Sequence, residues 1–207
     1  PVLYIGPDKN VRSETACPPH PGPKFVRITA ISDAHTQERF YPFVPPCDLL
    51  VFSGDMLFKN VDADGNPSID KFFEWIKSQT YKKLVFIAGN HEDPLEKMGA
   101  KAARAKYPGY IEDELVNRLG LRIYGSPVSR PYTHGGETEE DDTLGGNKSF
   151  QAHSFDRVAK IPNKDVDVLI THGAPKGICD TINNTPVGCP VLLRKVRKLR
   201  PRLHLFG

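Results

Sequence analysis

Six side chains able to hold cations or move protons stand just after apolar runs of this chain. Asp33 and His35 follow FVRITAIS, Asp55 follows DLLVFS and a glycine, Asn90 and His91 follow KLVFIA and a glycine, and His172 follows VDVLIT. Two divalent cations about 3.5–4 Å apart can activate water and neutralise a phosphate, and a carboxylate between them serves both. Asp55 is the natural bridge. Imidazole together with carboxylate suits manganese, iron or zinc, whereas magnesium and calcium sites are built almost wholly from oxygen. His35 and His172 therefore point to a transition metal. Taken singly each residue says little, because Gly-Asp is a common turn and a lone histidine is more often structural. Asp-x-His, Gly-Asp, Gly-Asn-His-Glu and Thr-His-Gly, each after its own apolar run, together predict a binuclear metal site.

Short continuous runs rich in β-branched and aromatic residues, bounded by turn residues, read as strands buried on both faces. Sheets of that kind bind ligands beyond the carboxyl ends of their strands, so residues distant in sequence can meet on one rim. Between the strands, Ile69, Phe72, Phe73 and Ile76 fall at helical spacing in 68–80, with Ser68 as N-cap and Trp75 in or beside the core. Residues 94–106 and 110–119 read as further helices, the first weakened by Gly99 and the second closed by Gly120. Pro190 opens a basic helix whose apolar side is Val191, Leu192, Val196 and Leu199. Residues 1–24 form a Pro-rich leader, extended or frayed, ahead of a domain spanning 25–207.

With these motifs in place, the chain resembles the calcineurin-like metallophosphoesterases, whose signature is the same motifs in the same order. KLVFIAGNHE, LRIYGSPVSRPY, LITHGAPKG and VGCPVLLRKVRKLRPRLHLFG are similar, more narrowly, to the metallophosphoesterase-domain-containing, class III cyclic nucleotide phosphodiesterase-like subgroup. The resemblance implies an α/β fold, a four-layer αββα sandwich, and hydrolysis of phosphoesters with cyclic nucleotides as the substrate class. It implies that Asp33 and His35 hold one metal, Asn90 and His172 the other, and Asp55 both. His91, with Asn90 at the substrate, would protonate the leaving oxygen or stabilise its charge. The family's last motif, Gly-His-x-His, would continue from Gly207, so three protein ligands per metal, and weak or no activity, are expected from the residues present, and the final strands are expected to be missing. His204, inside the strand-like LHLF, is read as a structural histidine.

Composition sets the outer bounds. At 207 residues and 23.1 kDa the chain fits one α/β domain with a substantial core, and no run approaches a transmembrane span. A net charge of +3 is too small to argue for polymeric nucleic acid, so the basic stretch 194–202 reads as a solvated helix face. A small nucleotide or phosphodiester is the expected partner. The start PVLYIGPDKN lacks the pattern of a signal peptide, and four cysteines without a C-x-x-C pair read as reduced thiols, which together predict a cytoplasmic enzyme. The acidic segment His134–Asn147 is read as solvated, its carboxylates outside the metal set.

Overall fold

A computed structural model of the chain describes residues 2–6, 8–14, 16–37, 44–58, 69–130, 149–151, 154–182 and 184–207. Two sheets carry the fold. Strands β3 (Ile28–Ile31), β4 (Cys47–Phe52) and β5 (Tyr81–Phe86) form a parallel sheet in that order. Strands β6 (Glu114–Arg118), β7 (Leu121–Ser126), β8 (Val168–Thr171) and β11 (Leu203–Leu205) form the other, ordered β11-β8-β7-β6, with only the β6–β7 pair antiparallel. Helices α1 (Asp70–Lys77), α2 (Asp93–Met98) and α3 (Ala100–Lys106) precede the second sheet, and α4 (Ser154–Lys160) and α5 (Pro190–Leu199) are interleaved with it.

Side chains that alternate along each strand sort into three apolar layers. Leu50, Phe52, Leu84 and Phe86 pack with Phe72, Phe73, Ile76 and Ala103 of α1 and α3. Their neighbours Leu49, Val51, Val85 and Ile87 pack instead against Ile123, Val168 and Ile170 of the second sheet. Tyr124 and Leu169 then face Val158, Leu192 and Leu199 of α4 and α5. The period of two sends successive residues to opposite faces, and because both faces are covered the strands read as unbroken apolar runs. This is the expected αββα order of layers. Each fully buried aliphatic or aromatic side chain contributes on the order of 1.5–3 kcal/mol, and Trp75 lies partly buried at the margin of the first layer. No helix among the described residues is long and apolar enough to cross a membrane.

Three expectations change. Residues 110–119 are not a helix: β6 pairs antiparallel with β7, and Leu119 and Gly120, at φ 54° and 78°, make the tight turn between them. A two-residue hairpin turn with both φ values positive matches the twist of the flanking strands, so Gly120 closes a hairpin rather than a helix. The single helix expected over 94–106 is two helices, because Gly99 at φ 77° interrupts the helical backbone. The leader is not merely extended, since β1 (Val2–Ile5) and β2 (Val11–Glu14) form an antiparallel hairpin and His20 Nε2 lies 2.8 Å from Asp48 Oδ2. Helix α1 begins at Asp70; its expected cap, Ser68, and the acidic segment 134–147 lie outside the described residues. Two short strands, β9 (Thr181–Ile182) and β10 (Thr185–Pro186), precede α5, whose N-cap Cys189 accepts the Leu192 N–H at 3.4 Å through its sulfur.

Candidate metal centre

The loops leaving β3, β4, β5 and β8 meet beyond the carboxyl ends of their strands. The first two run side by side, with backbone N–H groups of Asp33, His35 and Thr36 donating to the carbonyls of Gly54, Asp55 and Met56 at 2.9, 3.1 and 2.8 Å. Asp33, His35, Thr36 and Asp55 have φ of 55°, 47°, 61° and 59°. Left-handed backbone is costly for such residues and persists where the surroundings over-determine it, commonly at functional sites. Close approach is enforced at Gly89, where a Cβ would lie 2.2 Å from Asp55 Oδ1.

All six residues expected at the site converge. Asp55 is buried, and its two oxygens face different groups: Oδ1 lies 3.3 Å from His172 Nε2, while Oδ2 lies 3.8 Å from His35 Nε2 and 3.6 Å from His91 Nε2. Asp33 Oδ1 is 3.7 Å from His35 Nε2, and Asn90 Oδ1 is 2.8 Å from His172 Nε2. Donor atoms of His35, Asp55 and His91 lie within 4.8 Å of one another, as do those of Asp33, Asp55 and His172. His91, expected beside the second metal and not bound to it, stands with His35 and Asp55, within ligand range of that group. His204 takes no part; its Nε2 is 2.9 Å from Thr171 Oγ1, and burial pushes its imidazole down to about 4.

The donor set fits cations for a reason visible at His172. Its Nδ1 lies 2.9 Å from the Ser53 carbonyl, which can only accept, so Nδ1 carries the proton and a neutral ring turns its Nε2 lone pair inward. There it meets two further acceptors, Asn90 Oδ1 and Asp55 Oδ1. Three lone pairs converging on one point call for positive charge, and a cation satisfies them all. Without one, the proton takes that place: burial opposes the charged ring, yet Asp55 lifts His172 to about 9. His35 is oriented the same way, Nδ1 donating to the Leu57 carbonyl at 3.1 Å. Burial works against charge on Asp55 too, but His172 and His91 hold its carboxyl below the ordinary value. Burial is also the largest influence on His91 and keeps that ring below its usual value.

Glu92 is the residue that sequence reasoning left without a role. It is fully buried, and its Oε2 accepts the N–H groups of Asp55 at 2.9 Å and Gly89 at 2.6 Å while Oε1 accepts that of Leu57 at 3.0 Å. One carboxylate therefore ties the Asp55 turn to the Gly89 turn. Burial first, and Asp55 second, push Glu92 up to about 7. Its place in Gly-Asn-His-Glu was the available signal. At the far edge, β11 carries Gly207 to the same rim, where its N–H donates to the His172 carbonyl at 2.9 Å and a Cβ on it would lie 2.8 Å from Asp33 Oδ2.

A family model described as calcineurin-like phosphoesterase matches residues 26–207. Proteins named Metallophosphoesterase domain-containing protein 1, from Homo sapiens and from Mus musculus, are each 31% identical over 91% of this chain and 63% of their own length. The chain thus spans a little under two thirds of these curated relatives. A solved structure 20% identical in sequence, covering 87% of this chain and 83% of its own, superposes with a TM-score of 0.55, a likeness of fold.

Proposed function

The chain belongs to the calcineurin-like phosphoesterase family, and from that membership we propose that it is a metal-dependent phosphodiesterase acting on small phosphodiesters, cyclic nucleotides among them. The observation that carries this reading is the division of Asp55, whose two oxygens face separate groups of donors. Asp33, His35 and Asp55 would hold one cation, and Asp55, Asn90 and His172 the other. The imidazole and carboxylate donors suit manganese, with iron or zinc as alternatives. When bound, such a pair supplies Lewis acidity toward the phosphate oxygens and lowers the pKa of water.

The chain's own residues do the rest. Asp55, held at its N–H by the Glu92 carboxylate and at its carbonyl by the His35 N–H, keeps the two donor groups at a fixed separation, so that a phosphodiester meets a preformed site. His91 presents its imidazole beside Asp55 Oδ2, where it would protonate the departing oxygen or stabilise its charge, and Asn90 would orient the substrate alongside His172. Water adds to phosphorus as one ester bond breaks. The products are a phosphomonoester and an alcohol, and from a cyclic nucleotide a single nucleoside monophosphate. Four free cysteines suit the reducing cytoplasm, where we place the enzyme.

The rival reading is a nucleotide-binding protein with little turnover, since a fold does not fix an activity. Hydrolysis separates the two. Chain supplied with Mn²⁺ should release nitrophenolate from bis(4-nitrophenyl) phosphate and 5′-monophosphate from a cyclic nucleotide. Binding of a nucleoside monophosphate without either product would decide for the rival reading.

A further inference from the structure

Phe58 is a large apolar side chain left 48% exposed beside the cluster, its ring edge-to-face with His35 at 6.3 Å between centroids and 88° between planes. An exposed phenyl elsewhere on a protein needs no explanation. This one is held in position. The preceding residue, Leu57, is buried and fixed at both backbone groups, its N–H on Glu92 Oε1 at 3.0 Å and its carbonyl on His35 Nδ1 at 3.1 Å. The ring therefore projects from rigid backbone at the rim, next to His35, whose Nε2 faces Asp33 and Asp55. A phosphate seated among those donors would carry its ester group past this ring.

We propose that Phe58 is a stacking platform for the aromatic part of the ligand, making the site selective for phosphoesters of nucleosides or aryl alcohols over those of plain sugars and alkyl alcohols. The proposal rests on the phosphodiesterase reading only for where the phosphate sits. Aromatic faces attract one another beyond the area they bury, and a base stacked on an aromatic side chain is typically worth about tenfold or more in affinity. Phosphate and sugar contacts should be indifferent to the ring.

Adenosine 5′-monophosphate and ribose 5-phosphate share phosphate and sugar and differ in the base. Calorimetric titration of the full chain with Mn²⁺ should show the nucleotide binding about tenfold tighter than the sugar phosphate. Phe58→Ala should bring the nucleotide down to the sugar phosphate's affinity and leave the latter unchanged, whereas Phe58→Tyr should keep the difference. Equal affinities in the unaltered protein, or a Phe58→Ala variant that weakens both ligands alike or neither, would overturn the proposal. Hydrolysis is scored separately: discrimination without turnover of any phosphodiester would remove the phosphodiesterase reading and leave the platform standing, and turnover without discrimination would do the reverse.

Discussion

Replacing Glu92 tests how the centre is held together. Its carboxylate accepts three backbone N–H groups, from Asp55, Leu57 and Gly89, at a position with no solvent exposure. A buried donor deprived of its acceptor costs about 1–3 kcal/mol. Glu92→Ala orphans all three, a loss of about 3–9 kcal/mol against a typical domain stability of about 5–15 kcal/mol. Glu92→Gln is gentler. Its single carbonyl oxygen can replace Oε2 and keep the Asp55 and Gly89 N–H groups, but its amide nitrogen then faces the Leu57 N–H, donor against donor. One orphan remains, and relief of repulsion between two buried carboxylates offsets part of its cost, leaving about 1–2 kcal/mol. With an m-value of about 2 kcal/mol/M, the urea midpoint of Glu92→Gln should fall by about 0.5–1 M, and Glu92→Ala should fall several times further or fail to fold. Equilibrium unfolding followed by circular dichroism in metal-free buffer reads both. Equal midpoints for Glu92→Gln and the unaltered chain, with Glu92→Ala no worse, would refute the three-donor argument.

Two other perturbations have defined outcomes. His91→Ala should retain bound metal near the original level while turnover falls about 10²–10⁴-fold, the usual span for a general acid; elemental analysis showing metal lost would make His91 a ligand. Asp48 takes Lys82 Nζ at 2.7 Å, the Arg27 N–H at 2.8 Å and His20 Nε2 at 2.8 Å, with Lys82 the largest influence holding its carboxyl well below the usual range. A depressed carboxylate contributes stability above its unfolded value of about 3.9 and loses it as pH falls toward the folded one. Asp48→Asn should therefore melt below the unaltered chain near pH 6, with the gap beginning to narrow below about pH 4 and closing only as the pH reaches the folded value, well below the usual carboxylate range. A gap independent of pH would mean the charge is not what Asp48 contributes.

The residues that converge at the candidate centre were legible because chemistry limits metal donors to a few types. Asp33, His35, Asp55, Asn90 and His172 are donors for which few other side chains substitute, each placed after an apolar run, and runs buried on both faces show in sequence as continuous hydrophobic stretches. The residues that position them were mostly illegible. His172 and His35 are aimed by the carbonyls of Ser53 and Leu57, and a carbonyl is the same in every residue. Glu92 was visible, but its three partners depend on loops brought together only in the fold. Residues 110–119 misled because a glycine after an apolar segment can end a helix or turn a hairpin, and it was pairing with β7 that decided. Nothing local in 1–24 announced that Val2–Ile5 would pair with Val11–Glu14.

If Asp55 serves two cations at once, the number of Mn²⁺ ions bound per chain at saturation, by elemental analysis after equilibrium dialysis, shows it directly. Two ions are expected for the unaltered protein. Asp55→Asn keeps the shape but loses the charge both cations share, so it should bind fewer than one and lose metal-dependent hydrolysis of bis(4-nitrophenyl) phosphate. One ion in the unaltered chain, or two ions and most of the activity retained in Asp55→Asn, would contradict the sharing of Asp55.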